Sequence, residues 1–128
     1  MSIPKPLRLT SLGSKPPQPI RLYADDIGAI KPHDLGTGSL ILLTHTDVIL
    51  NVAEASNEIV VNGLVDLPSF RFNDPPLRVR PAFVRAIEPH RYSGGTQILT
   101  TSGSKVFTSA DPKTVDELLW PVLGWKTI

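Results

Sequence analysis

Apolar and polar side chains alternate with a period of two in several short segments of this 128-residue chain, and short apolar runs stand between them. Leu7-Arg8-Leu9-Thr10 alternates, a Gly/Pro-rich stretch follows, and Ile20-Arg21-Leu22-Tyr23 alternates again, which predicts two half-buried strands joined as a hairpin. Phe70-Arg71-Phe72 and Leu77-Arg78-Val79 repeat the pattern around Asn73-Asp74-Pro75-Pro76, a turn built from residues that favour one. Further strands are predicted at Ile27 to Ile30, Leu40 to Leu43 and Val48 to Leu50, and again at Val84 to Ile87, Ile98-Leu99 and Val106-Phe107. Turns at 34–38, at Gly94-Gly95 and at Ser102-Gly103-Ser104 separate them at lengths usual for hairpins. The period changes only after Asp111-Pro112, a helix start in which Asp caps free amides and Pro is preset for the first turn. Val115, Leu118, Leu119 and Val122 then form a helical stripe, with Pro121 ending the regular part near Trp120. Ser56 to Asn62, followed by Gly63, predicts a matching first helix, against which the β-branched run Ile59-Val60-Val61 argues.

The two sets of strands are related by more than pattern. AIKPH at 29–33 returns as AIEPH at 86–90, and with Ile27 set on Val84 an ungapped alignment runs from Ile20/Leu77 to Ala53/Ala110. Ten of its 34 positions are identical: Arg21/Arg78, Ala29/Ala86, Ile30/Ile87, Pro32/Pro89, His33/His90, Gly38/Gly95, Ile41/Ile98, Leu42/Leu99, Thr44/Thr101 and Ala53/Ala110. Ordinary composition would give about two by chance, so the chain reads as an internal duplication. The fold expected is mainly β with a minor helical part: a tandem duplication of a small antiparallel unit of about five strands, each copy closed by a short helix. Residues 1–6 form an arm, 7–64 the first copy and 65–128 the second, packed as one compact unit.

The line LRLTSLG…IRLYADDIGAIKPH…SLILLTHTDVILNVAEASNEIV resembles the FlbD-type family of flagella-associated proteins, with its L-T-x-L turn, I-x-x-I strand and helix start after a valine and glutamate. SLGSKPPQP stands where that family has a tight Asn-Gly turn. The second copy, FVRAIEPHRYSGGTQILTTSGSKVFTSADPKTVDELL, is similar to the strand-rich core of LytTR DNA-binding domains. Both resemblances imply a β-sheet-plus-helix shape, and neither carries a functional residue over to this chain.

Composition narrows the chemistry. A hydrophobic fraction of 41% with 20% charged residues suits a globular core rather than general disorder. With no cysteine, disulfides, thiol nucleophiles and Cys-based zinc sites are all excluded. The formal net charge of +1 gives no global field for nucleic acid or membrane, so such a partner needs a local patch. No apolar run approaches the ~18 residues of a membrane span, and MSIPKPLRLT lacks a signal-peptide core. A cytoplasmic protein with no membrane partner is therefore expected, in the host cytoplasm or a virion if the source is a phage.

Most of the repeated residues are explained by core and turns; Arg21/Arg78, His33/His90 and Thr44/Thr101 are the repeated polar ones. Residues 65–128 carry eight Lys/Arg against six Asp/Glu, and Arg71, Arg78, Arg80, Arg85 and Arg91 crowd within one stretch of them. Arg78 and Arg80, two apart on a strand, share a face that can grip phosphate or blunt a sheet edge. The phosphate-binding candidates are thus Arg21, Arg78, Arg80, Arg85, His33 and His90, although the patch lacks the interleaved aromatics that stack bases. Three histidines without cysteine make no recognisable metal site. Asp25-Asp26 has no counterpart in the second copy, Ser102-Gly103-Ser104 is a turn rather than a nucleophile elbow, and Gly36-Thr37-Gly38 lacks the lysine of a P-loop. No catalytic set or cofactor is indicated. Pro16 and Pro17 in the proline-rich N-terminal stretch, and Trp125 near the C-terminus, are candidate interface residues. The function expected is a non-enzymatic, homo-oligomeric binding or assembly protein of prokaryotic or phage type. The alternative is a phosphate-recognising module that binds DNA or sequesters a small nucleotide, cyclic or not, through its Arg/His surface.

Overall fold

A computed structural model of the chain describes residues 6–13, 15–33, 37–71, 74–90 and 94–120. Ten strands and one α-helix follow in order: β1 (Leu7–Thr10), β2 (Pro19–Leu22), β3 (Ile27–Pro32), β4 (Ser39–Leu43), β5 (Ile49–Val52), β6 (Val65–Leu67), β7 (Leu77–Val79), β8 (Val84–Pro89), β9 (Thr96–Thr100), β10 (Lys105–Thr108) and α1 (Pro112–Leu119). Three single 3-10 turns, Ala24–Asp26, Ser56–Glu58 and Pro81–Phe83, link them. The fold is mainly β, as the alternation predicts.

All strand pairs are antiparallel and form three sheets. These are the ribbon β1-β2, the five-stranded sheet β5-β4-β3-β7-β6, and the three-stranded sheet β10-β9-β8. Single bridges, Ser11 to Val52 and Ser69 to Thr108, tie the ribbon to β5 and β6 to β10. The ladder therefore runs β2, β1, β5, β4, β3, β7, β6, β10, β9, β8, with β2 and β8 at its two ends.

The large sheet does not respect the two halves of the sequence. Its hairpin β6-β7 comes from the second half, yet β7 pairs with β3 of the first, Ala29 opposite Val79 and Ile30 opposite Arg78. Self-contained sheets for each half were the expectation. Burial explains the departure: β3 is apolar on both faces, with Ile27, Ala29 and Ile30 fully buried, and a strand of that kind belongs inside a sheet, not at its edge. One core, including Ala29, Leu42, Leu77, Val79, Phe83 and Val115, draws on both halves, and a second, including Leu9, Ile30, Ile41, Val52 and Ile59, lies within the first.

Local geometry recurs along the chain. The register of β3 on β4 (Ala29 with Leu42, Ile30 with Ile41, Pro32 with Ser39, and a bulge after Ile27) reappears for β8 on β9 (Ala86 with Leu99, Ile87 with Ile98, Pro89 with Thr96, and a bulge after Val84). Every one of these positions matches its partner in the alignment of Ile27 with Val84. The hydrogen bonds from Asp26 N–H to Tyr23 O and from Thr44 N–H to Asp26 O have counterparts from Phe83 to Arg80 and from Thr101 to Phe83. Val52 faces Ser39 whereas Thr108 faces Thr96, so beyond the β9-β10 turn Val52 corresponds to Thr108 and not to Ser109. The ungapped alignment was one position too long there: Ser39 Oγ donates to Glu54 O and Thr96 Oγ1 to Ala110 O, which pairs Ala110 with Glu54 and not with Ala53. In the β3-β4 and β8-β9 turns the alignment holds but the conformation differs: Gly38 takes positive φ, whereas in the second turn Gly94 does and not Gly95.

The two closing segments differ. Asp111 accepts from Thr114 N–H and caps α1, whose Val115 and Leu119 are buried. The expected first helix is only the turn Ser56–Glu58. Arg78, from β7, donates to Ser56 O and Ile59 O at 2.8 and 2.7 Å, taking carbonyls that a helix would need, and Ile59-Val60-Val61 favours the extended path.

Candidate nucleic-acid interface

Strand β10 carries an apolar side chain where its pleat calls for a polar one. Val106 and Thr108 point inward, leaving Lys105 and Phe107 outward, and Phe107 is 37% exposed. Phe70, just past β6, is 44% exposed and stands 5.8 Å from the Phe107 ring. His90, just past the end of β8, completes a triangle with them, 5.2 Å from Phe70 and 5.5 Å from Phe107, edge-on to both. Two adjoining clefts open beside Phe70 of this three-ring cluster. One, of about 200 Å³, is lined by Lys31, Pro32, Phe70, Arg71, Leu77 and Phe107 among others. Its neighbour, of about 450 Å³, is lined by Pro68, Phe70, Arg71, Pro76 and Ser109 among others. Asp74 lines both clefts and is the acidic residue beside the two cations Lys31 and Arg71.

An exposed aromatic surface flanked by a lysine and an arginine suits a nucleic acid, since rings accept base faces and cations accept phosphates. Ser11 and Ser69 make matching bridges to Val52 and Thr108, so the corresponding places in the first half hold Leu12, His33 and Asn51, and among the described residues the aromatic cluster belongs to the second half alone.

The six residues expected to bind phosphate are scattered by the fold. Only His90 joins the cluster. Its counterpart His33 occupies the matching strand end, each donating its backbone N–H across a loop, to Gly95 O and Gly38 O respectively. Arg78 and Arg80 project into the protein's own backbone. Arg78 holds Ser56 O and Ile59 O and lies 3.6 Å from Asp66 Oδ1; Arg80 donates to Ile27 O and Ala24 O, both at 2.9 Å. Those bonds staple the second half to the first. Arg21 faces Arg8 across the ribbon, both exposed, and Arg85 is exposed on β8. Pro16 and Pro17 sit in an exposed loop whose Lys15-Pro16 bond is cis, and Trp125 lies outside the described residues.

Among the described residues there is no group of three or more metal-ligating side chains, and no helix is long and apolar enough to cross a membrane.

No protein-family model and no curated protein matches the chain. Among solved structures, a LytTr DNA-binding domain from Bacillus cereus superposes with a TM-score of 0.59 over 94% of this chain and 98% of that one, at 11% identity. The chain shares that fold. The likeness named in the sequence for the second half thus extends over both halves, and nothing comparable links the chain to the FlbD-type family.

Proposed function

We propose that this chain is a tandem pair of one β-unit and a non-enzymatic DNA-binding module, with its contact face at Phe70, His90, Phe107, Lys31 and Arg71. The cluster of exposed rings beside two cations carries this reading, and the fold shared with a DNA-binding domain supports it. The recurrence of strand registers and turn hydrogen bonds supports the pairing of two units. Lys31 and Arg71 neutralise phosphates while Phe70 and Phe107 stack against unpaired bases, so single-stranded or locally opened DNA is the preferred form.

Fluorescence anisotropy with labelled single- and double-stranded oligonucleotides, titrated at several salt concentrations, tests it. Binding should weaken steeply with salt and favour the single strand. Phe107→Ala and Phe70→Ala should each cost about 1–3 kcal/mol of binding, and Lys31→Ala or Arg71→Ala should lower the salt slope by about one each. Binding that ignores both rings would move the contact face elsewhere; no salt-sensitive binding at all would end the reading.

A further inference from the structure

The two end strands of the ladder differ from their internal counterparts in one consistent way. In the alignment of Ile27 with Val84, β8 corresponds to β3 and β2 to β7, and β3 and β7 are paired with each other. Ala29 is fully buried, but Ala86 is exposed; Ile30 is fully buried, but Ile87 is only half-buried; Leu77 is buried, but Ile20 is half-buried. Tyr23, the counterpart of Arg80, is 47% exposed. Both ends therefore present the surface that the joint inside the chain covers.

We propose that β8 of one molecule is the docking strand for β2 of a second copy, in the arrangement that β3 and β7 take within the chain. Transferring that register sets Ala86 opposite Leu22 and Ile87 opposite Arg21 of the second copy. The backbone bond from Arg80 N–H to Gly28 O, 2.8 Å long, becomes one from Tyr23 N–H to Arg85 O.

The side chains at the two joints argue for this occupant. Inside the chain the turn Pro81–Phe83 lays the Phe83 ring over Gly28, so closely that a Cβ at Gly28 would stand 2.5 Å from it. The turn Ala24–Asp26 has the same hydrogen bonds as Pro81–Phe83, and it would lie over β8 in the same way. Asp26 then replaces Phe83 and Arg85 replaces Gly28. The tight apolar fit of the inner joint becomes a pair of opposite charges at the outer one, which suits a contact whose separated faces must also tolerate water. An open edge on an isolated molecule is a hazard for unspecific pairing, and a matched edge on the same chain resolves it. Because the two faces differ, the contact is head-to-tail and propagates until a ring closes or a filament grows.

Sedimentation velocity and native mass spectrometry across a concentration series test the proposal. The wild type should form oligomers whose mean mass rises with concentration. Arg85→Glu alone and Asp26→Arg alone should each return it to monomer, and an equimolar mixture of the two variants should restore assembly, because every joint in the mixture again pairs opposite charges. Circular dichroism of each variant separates loss of assembly from loss of fold. A wild type that stays monomeric up to its solubility limit overturns the proposal, whether β2 closes on β8 within one chain or a different protein covers the edge. Oligomers that form equally well in both single variants overturn it too, since the contact then lies elsewhere.

Discussion

Gly28 lies beneath the Phe83 ring, where an added Cβ would come within 2.5 Å of Cγ and Cδ2. Phe83 is buried at 1% exposure in the core that joins the halves, and it has little room to yield. Gly28→Ala should cost about 1–3 kcal/mol by overpacking, and Phe83→Ala about 3–5 kcal/mol by leaving a cavity. Because both act on one contact, Gly28→Ala should cost much less in the Phe83→Ala background; urea unfolding of the four proteins measures the coupling. Arg80 binds the same joint through polar contacts, with Nε on Ile27 O and Nη2 on Ala24 O. Arg80→Met keeps the apolar stem and removes those donors, and should cost about 1.5–3 kcal/mol of stability while leaving DNA affinity unchanged. That contrast separates a structural arginine from a phosphate-binding one.

At the scale of elements, two carboxylates hold strand and helix ends in place. Partial burial pushes the Glu54 carboxyl up, but its hydrogen bonds with Thr10, including the backbone N–H at 2.9 Å, outweigh that and leave it below the ordinary glutamate value. The side-chain and backbone bonds from Thr114 lower Asp111. Both groups have folded values below their unfolded ones. Their stabilisation is therefore fully present above the unfolded values, about 4, and is lost as pH falls through the folded ones. Thermal unfolding at a series of pH values should show a wild type more stable than Glu54→Gln near neutrality, with the two curves converging as pH falls through the lowered folded value of Glu54. Most strands were legible in the sequence because alternation is local, but Phe70-Arg71 lies outside any strand and the partner of β7 is instead Val65–Leu67, whose pairing no local pattern sets. Local pattern also indicated α1, through Asp111 and the stripe at Val115 and Leu119. It failed at Ser56–Glu58, where the deciding group, Arg78, arrives from 22 residues away. The candidate site was hidden for the same reason, since Phe70, His90 and Phe107 come from three separate elements. One local trace existed: Phe107 is an apolar residue on the outward beat of an otherwise alternating strand.

For the whole molecule, the pairing of β3 with β7 makes folding a joint enterprise. Residues 1–64 expressed alone lose the cover of β7 and Phe83 over Ala29 and Leu42, and residues 65–128 alone lose the strand on which β7 pairs. Neither fragment should give a dispersed amide NMR spectrum by itself. The contrast between β3 and β8 also sets a timetable for exchange with heavy water. Amides of β3, enclosed by β4 and β7, should exchange only when the whole protein opens, whereas the outward-facing amides of β8 should exchange first among the long strands. If molecules join end to end, the β8 amides become a gauge of crowding: in concentrated samples their exchange should slow toward that of β3, and on dilution it should quicken again.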